Sequence, residues 1–286
     1  MQRSSSRCGL AARPSCLLGS TRSVTKQPVL PLLAAAILTS SPAIADIINV
    51  PADHPTLQAG IDAAVDGDEV VVAAGTYLEA IDFNGKAITV RSADPSDTGT
   101  VVTTVIDGTG NDYTVQTASG EGLDSVLSGF VISGASEAGM LISGSSPTLT
   151  SCTLAINNDG ILIEGSSPFI NACAIVDNLD RGIEIATESV SDPTIVGSLI
   201  ARNLVAVEMT SRASSITVRD TGFESNGNGF TGAAGGSDIT LTSCTFFDNG
   251  GSALQILSPS SCITSGCSFI SNRGIGLNMG GSGPDT

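Results

Sequence analysis

The sequence predicts a parallel β-solenoid, a fold in which short strands stack coil upon coil. The first observation is a column of Asn residues at a near-constant period, with spacings of 21, 25, 23, 23 and 23 residues. The column contains Asn157, Asn178, Asn203, Asn226, Asn249 and Asn272. A fixed period in this range indicates units that cannot bury their apolar face alone and must stack on their neighbours.

The second observation is that the positions before each Asn repeat as well. The position three before is apolar: Leu154, Ile175, Ile200, Phe223, Phe246 and Phe269. The position five before is small or Cys: Cys152, Cys173, Ser198, Thr221, Cys244 and Cys267. The position eight before is mostly apolar but has the opposite parity: Leu149, Ile170, Ile195, Val218, Leu241 and Thr264. The change of parity predicts a bend between two short strands.

The third observation is a further short strand after each Asn, as in residues 160–163 and 182–185. Two or three strands in a coil of roughly 23 residues leave no room for helices. Strands stacked about 4.8 Å apart would place like residues together, which predicts a Phe stack and an Asn ladder at a buried corner. One more coil fits at Leu127, Phe130 and Ile132, with Ala135 in the Asn place.

The N-terminal block carries a family resemblance. It contains Pro51, then Thr56 followed by apolar Leu57 and Ile61, then a turn at residues 66–68. With the repeats, this block resembles the right-handed parallel β-helix proteins of the pectin-lyase-like fold. The resemblance implies an all-β, right-handed parallel β-helix of about nine coils over residues 46–279, with a short N-terminal capping helix. The cap and first coils would occupy residues 46–110, and the regular repeats residues 127–279.

The first 45 residues are typical of a signal peptide, because basic residues precede an apolar stretch at 29–38 and Ala43, Ile44 and Ala45 suit a signal peptidase. The basic region is long, so an incorrectly assigned start codon or a transit peptide is the alternative. We therefore expect a secreted, extracellular or cell-surface protein, or a periplasmic one. No other apolar run approaches the roughly 20 residues of a membrane span. Residues 280–286 are expected to form a flexible tail.

The net charge of the expected mature chain limits the classes of molecule that it could bind. Of 12 basic and 28 acidic residues, the first 45 contain five basic and no acidic ones, so 7 basic residues face 28 acidic ones, for a net charge of −21. This excess argues against nucleic acid and against tight binding of anionic polymers such as pectate. Neutral polysaccharides, cations or basic surfaces suit this charge better, and the expected partner is a neutral polysaccharide or a cell-surface component.

Five cysteines remain in residues 46–286: Cys152, Cys173, Cys244, Cys262 and Cys267. An odd count is not a disulfide framework. Cys152 with Cys173, and Cys244 with Cys267, occupy neighbouring coils of one column within bonding range, but Ser198 and Thr221 fill the same column, which favours small inward-facing residues. The sequence has one His and no CxxC pair, so a zinc site is not expected.

Enzymes of the resembled fold usually act on polysaccharides in a groove along one outer face. Pectate-lyase-like catalysis implies an Arg or Lys base with calcium-binding carboxylates, and the sequence places no Arg among stacked acidic residues. The paired Asp and Gly-His-Gly of polygalacturonases do not occur, and the chain has no Trp. Sugar rings stack on exposed Trp or Tyr, and the sequence offers only Tyr77 and Tyr113, since the repeat sends Phe inward. A strong surface for sugar stacking is therefore not expected.

The remaining candidate site is an outward column after the Asn ladder: Leu162, Glu184, Glu208, Thr231, Gln255 and Asn278. Glu184 and Glu208 should be neighbours, so they could serve as a catalytic acid–base pair or bind calcium with Asp159 and Asp180. The interpretation we favour over both is a solvated acidic face on an acidic protein. Asp177 and Arg202 are expected to form an ion pair across adjacent coils.

Two functional hypotheses follow. The first is an exported binding or structural module, and the alternative is a polysaccharide hydrolase or lyase that uses the acidic residues. No residue set points to a cofactor, with calcium as the open possibility. After residue 279 nothing in the sequence covers the last coil, so we expect either that this end docks a partner or a second copy, or that the chain is a fragment of a longer protein.

Overall fold

A computed structural model describes residues 45–186, 190–210, 214–232, 237–257 and 261–280. These residues form an all-β parallel solenoid of about nine coils, as the sequence predicts. The predicted signal peptide, apart from residue 45, and the predicted tail beyond residue 280 lie outside the described residues. Within the described ranges, no helix has the length and apolarity to cross a membrane.

Each coil contributes strands to three parallel sheets, here called sheets A, B and C in the order a coil meets them. Sheet A has ten strands: Ile47–Val50, Glu69–Val72, Thr89–Ser92, Val126–Ser128, Thr148–Thr150, Phe169–Asn171, Thr194–Val196, Ser215–Arg219, Asp238–Thr242 and Ser261–Ser265. Sheet B has nine: Gly75–Leu78, Thr104–Asp107, Val131–Ser133, Thr153–Ala155, Ala174–Val176, Leu199–Ala201, Gly222–Glu224, Thr245–Phe247 and Ser268–Ile270. Sheet C also has nine: Ile81–Asp82, Tyr113–Thr117, Ala138–Ser143, Asp159–Glu164, Arg181–Ala186, Val205–Met209, Asn228–Gly232, Leu254–Leu257 and Leu277–Gly280.

The register of the sheets confirms the predicted columns. Leu154 pairs with Ile175, which pairs with Ile200, in sheet B, whereas Leu149 and Ile170 pair in sheet A. The predicted bend therefore separates two sheets. The inward columns are buried as far as Ile256 and form one continuous core along the solenoid, whereas Thr264 and Phe269 of the last described coil are exposed. Burial of these apolar side chains is the main stabilising term of the fold.

The Asn ladder occupies the buried corner between sheets B and C, as predicted. The Asn178 backbone N–H donates to Oδ1 of Asn203 at 3.0 Å, and Nδ2 of Asn178 donates to the carbonyl of Leu154 at 3.1 Å. The ladder ends where the sequence predicts, because Ala135 stands in the Asn place and its N–H donates to Oδ1 of Asn157 at 3.1 Å. Each Asn thus satisfies backbone groups that face no water.

Two further columns of side chains, one of Phe and one of Ser, join adjacent coils. The rings of Phe223 and Phe246 stack with their centroids 4.4 Å apart, and Phe269 continues the predicted stack at 5.0 Å. A ladder of buried serines, which the sequence analysis missed, follows sheet C. There the N–H of Ser145 donates to Oγ of Ser166 at 3.1 Å, and the next step repeats this at 3.2 Å to Ser191.

The structure has two short helices in its described part. Helix α1, Leu57–Ala63, confirms the predicted N-terminal helix: Oγ1 of Thr56 caps it at 3.1 Å from the Ala59 N–H, and Leu57 and Ile61 are fully buried. Helix α2, Thr98–Thr103, was not predicted. It begins after Asp97 in a long connection between sheets A and B and packs against the strands Thr104–Asp107 and Val131–Ser133.

Candidate functional site

The candidate site lies on the outer face of sheet C, where the predicted column is confirmed. Glu184 pairs with Leu162 on one side and Glu208 on the other, and Thr231, Gln255 and Asn278 follow in register. Glu184 and Glu208 are therefore neighbours on adjacent strands. The regular period of the coils brings together two carboxylates that are 24 residues apart in sequence.

Arg181 lies among the four predicted acidic residues. Its Nη1 is 3.0 Å from Oδ2 of Asp180, 3.4 Å from Oδ2 of Asp159 and 3.5 Å from Oε2 of Glu184. Its Nε donates to Oε2 of Glu208. The expectation that no Arg lies among stacked acidic residues was therefore wrong. We call these five residues the Arg181 cluster.

The residue pattern did not identify Arg181, because the strand Arg181–Ala186 does not alternate where it begins. Arg181 and Glu184 are three positions apart, so strict alternation would place them on opposite faces. In the structure, Gly182 and Ile183 are both buried, and the residues on either side of them both reach the outer face. A run of two inward residues before an alternating segment, as in Gly160 and Ile161, is the signal that could have revealed this.

The Arg181 cluster is mostly covered, and it is acidic. The side-chain exposures are 7% for Asp159, 18% for Glu184, 25% for Glu208, 26% for Arg181 and 35% for Asp180. Four carboxylates against one guanidinium leave a formal charge of −3 when all are ionised. Such a site attracts cations and repels anionic ligands.

Burial and the neighbouring charges have opposite effects on the pKa values of the groups in the Arg181 cluster. Burial raises the pKa of Asp159 and of Glu184 above their usual values, and Arg181 only partly offsets this. Burial would lower the pKa of Arg181, but its hydrogen bond with Glu208 and the nearby carboxylates outweigh that effect and raise it. Arg181 is thus a permanent cation, unsuited to act as a general base.

The calcium hypothesis stays a prediction. Within the part of the chain that the structure describes, no group of three or more His, Cys, Asp or Glu residues is arranged to hold a metal ion. Asp159, Asp180, Glu184 and Glu208 all direct oxygens toward Arg181 instead. A calcium ion bound by these four carboxylates would have to displace the guanidinium.

Beside the cluster, the corner between sheets B and C carries an open groove of about 510 Å³. Its polar wall contains the predicted ion pair: Nε and Nη2 of Arg202 each lie 2.7 Å from an oxygen of Asp177. Its apolar wall contains Leu179 and Leu204, which are 78% and 58% exposed. The groove therefore offers both hydrogen-bonding and apolar surface next to Asp180 and Arg181.

The aromatic residues are distributed differently from the expectation. Tyr113 is half-buried and belongs to the same sheet C column as Ala138 and Asp159. Phe83, Phe130, Phe223, Phe230 and Phe246 point inward and are fully buried. Phe247, however, is 43% exposed, so the expectation that every Phe points inward was wrong at this position.

The five cysteines in the described residues are free thiols. Cys152, Cys173 and Cys244 are buried, as expected for small inward-facing residues, and Cys262 and Cys267 are half-buried. Burial raises the pKa of Cys152 to about 12 and that of Cys244 to about 11. These thiols are therefore poor nucleophiles at neutral pH.

The chain is similar to known proteins in sequence pattern and in fold. A family model described as a right-handed β-helix region matches residues 96–235 and 190–285, which together cover more than half of the sequence. The chain belongs to the right-handed β-helix family. Among curated proteins, no significant sequence match was found.

Several solved structures resemble this β-helix protein, and two of them have TM-scores above 0.5. Pectate lyase Pel9A is 15% identical, with a TM-score of 0.60 over 84% of this chain and 81% of that chain. An alginate lyase from Paenibacillus sp. str. FPU-7 is also 15% identical, with a TM-score of 0.57 over 80% of this chain and 99% of that chain. At this identity the likeness establishes the shared fold alone.

Proposed function

We propose that the protein is an exported binding module that holds a neutral polysaccharide, free or on a cell surface, against the outer face of sheet C. The observation that carries this proposal is the Arg181 cluster, in which one guanidinium fixes four carboxylates of adjacent coils. Carboxylates held in this way are oriented hydrogen-bond acceptors for sugar hydroxyls.

The surroundings of the cluster suit an elongated ligand. The column of Glu184, Glu208, Thr231 and Gln255 runs along the solenoid axis, so a polymer chain lying on it would meet a polar group at every coil. Tyr113 on the same face offers a ring for stacking, and Leu179 with Leu204 offers apolar surface at the corner. The charge of −3 on the cluster disfavours anionic polymers.

Binding is tested by isothermal titration of the purified protein with neutral polysaccharides and, for comparison, with pectate and alginate. We expect a neutral polymer to bind and a Glu184→Gln/Glu208→Gln variant to bind about tenfold more weakly, a loss of the size of one charged hydrogen bond. Glu224→Gln, which changes a carboxylate in sheet B, is the matched control and should bind normally. Binding to anionic polymers alone, or to none, would refute the proposal.

The second candidate is a glycoside hydrolase, and the raised pKa of Glu184 favours it. A carboxyl group whose pKa is raised by burial is better suited to act as a general acid, and its neighbour Glu208 would act as the nucleophile. Release of reducing ends or unsaturated sugars, measured with and without calcium, separates the two functions. Turnover that disappears in the double Gln variant would establish the enzyme, whereas binding without turnover supports the module.

A further inference from the structure

Three thiols lie near one another in the coils that contain the strands Asp238–Thr242 and Ser261–Ser265. Cys244 directly precedes the strand Thr245–Phe247, and Cys267 directly precedes the strand Ser268–Ile270. Because Thr245 pairs with Ser268, Cys244 and Cys267 occupy equivalent positions in adjacent coils. Cys262 lies in sheet A, where it pairs with Ile239.

The contacts around Cys267 hold it against the coil of Cys244. The Sγ of Cys267 is 3.5 Å from the carbonyl oxygen of Leu241, a residue of that coil. The next backbone N–H, from Ser268, donates to the carbonyl of Cys244 at 2.8 Å. Parallel strands are about 4.8 Å apart, which lies within the range of Cα separations that a disulfide bond spans.

The solvent accessibility of the thiols distinguishes Cys244 and Cys267 from the other pair of cysteines in adjacent coils. Cys152 and Cys173 also occupy adjacent coils of the same column, but they are only 1% and 3% exposed. Cys244 is similarly buried, whereas Cys267 is half-buried. A small molecule in solution can therefore reach Cys267 but neither Cys152 nor Cys173.

We propose that Cys244 and Cys267 are an oxidation site that low-molecular-weight disulfides, such as cystine, convert into a bond between the two coils. The Cys267 thiolate attacks one sulfur of the small disulfide, forming a mixed disulfide and releasing one small thiol. Cys244 then loses its proton and attacks the Cys267 sulfur, which releases the second small thiol. Its raised pKa slows this step, but its fixed position beside Cys267 in the adjacent coil makes the attack intramolecular and offsets the small thiolate fraction. The two protein thiols are oxidised, and the small disulfide is reduced to two thiols that take up the protons.

This bond would fix the coil of residues 261–280 to the coil before it. The strand Ser268–Ile270 is exposed along its length, so the packing that retains it is weaker than in the buried coils. A covalent link between adjacent coils would restrict the separation of these strands on unfolding. The export that the sequence predicts would place the protein where such disulfides persist.

The test is to incubate the full chain with cystine, alkylate the remaining thiols under denaturing conditions and map the bonds by mass spectrometry. We expect a disulfide bond between Cys244 and Cys267. Cys152 and Cys173 should stay reduced during the incubation and therefore be found alkylated, and the melting temperature of the protein should rise on oxidation. Cys267→Ser should abolish the bond and the rise, whereas Cys262→Ser should retain both.

Three outcomes would overturn the proposal. A bond between Cys262 and Cys267 would show that the third thiol is the true partner. Oxidation of Cys152 and Cys173 at the same rate would show that accessibility does not select the site. Five unmodified thiols among these residues after prolonged incubation with cystine would show that the stacked positions cannot be bridged.

Discussion

Arg181 and Arg202 each contact a carboxylate of a neighbouring coil, but their surroundings differ. Arg181 is 26% exposed and contacts Asp159, which is 7% exposed, whereas Arg202 and its partner are about half-exposed. We expect Arg181→Met to lower the free energy of unfolding by about 2 kcal/mol, between the values for exposed and buried pairs. Arg202→Met, the matched control, should lower it by less than about 1 kcal/mol. Urea unfolding measures both, and equal losses would contradict a special role for the cluster.

Glu184 gives a stability effect that depends on pH. Its pKa is raised by burial, so its contribution to stability is fully present below the pKa of the unfolded chain and is lost as pH rises through the folded-state value. Glu184→Gln should therefore raise stability at pH 7 by up to about 1 kcal/mol and leave it unchanged near pH 3. Urea unfolding at both pH values tests this, and a loss of stability at pH 7 would show that the contact with Arg181 outweighs burial.

Ile156 adopts a backbone conformation that its side chain disfavours. It has φ of 60° and is 72% exposed, and the equivalent residues of the next coils, such as Asp177 and Ser225, share this left-handed conformation. Because Asn tolerates the left-handed region better than a β-branched residue, Ile156→Asn should raise the free energy of unfolding by about 1 kcal/mol. Ile156→Val keeps the branched side chain and should give no gain. A gain in both variants would mean that lost apolar exposure, not strain, is responsible.

At the scale of elements, the Asn ladder joins the coils through buried hydrogen bonds. Asn178→Ala would remove the acceptor of the Asn157 N–H and the donor to the Leu154 carbonyl. We expect a loss of about 2–4 kcal/mol, since both backbone groups become buried and unpaired. Asn171→Ala, on the outer side of sheet A, should change stability by less than about 0.5 kcal/mol. Thermal or urea unfolding of the two variants would disprove the ladder's role if their losses were alike.

The elements that the sequence predicts recur in every coil, whereas helix α2, which it did not predict, occurs in a single coil. The strands of sheets A, B and C from residue 126 onward follow columns that recur every coil, so their side chains identify them. Helix α2 interrupts a single coil between Ser92 and Thr104, and nothing repeats there to predict it. The serine ladder at Ser145, Ser166 and Ser191 does recur, but turn residues are common enough that its burial was not evident.

At the scale of the whole molecule, burial falls toward the coil of residues 261–280. The strands Phe169–Asn171 and Ala174–Val176 contain only buried and half-buried residues, whereas Ile263 is 61% and Ile270 48% exposed. We expect amide hydrogens of Ser261–Ser265 and Ser268–Ile270 to exchange at least about tenfold faster than those of the central coils, because local opening there exposes less buried surface. Uniform protection of these amides, measured by hydrogen exchange and mass spectrometry, would contradict this.

Docking of a partner or a second copy on the coil of residues 261–280 stays a prediction. Protection of its amides that increases with protein concentration would support the second copy.

The sequence by itself determined the solenoid fold. Every coil must bury an apolar face against its neighbours, and this requirement produces apolar residues at a regular period in the sequence. The sequence also determined which carboxylates become neighbours, since register follows from the period. Only the tertiary structure decided that Arg181 stands among them. Two consecutive buried residues, Gly182 and Ile183, break the alternation at the start of the strand, and the corner of the coil then turns Arg181 toward Glu184 and Glu208. Side-chain direction at a corner depends on backbone angles that a pattern of residue types does not record.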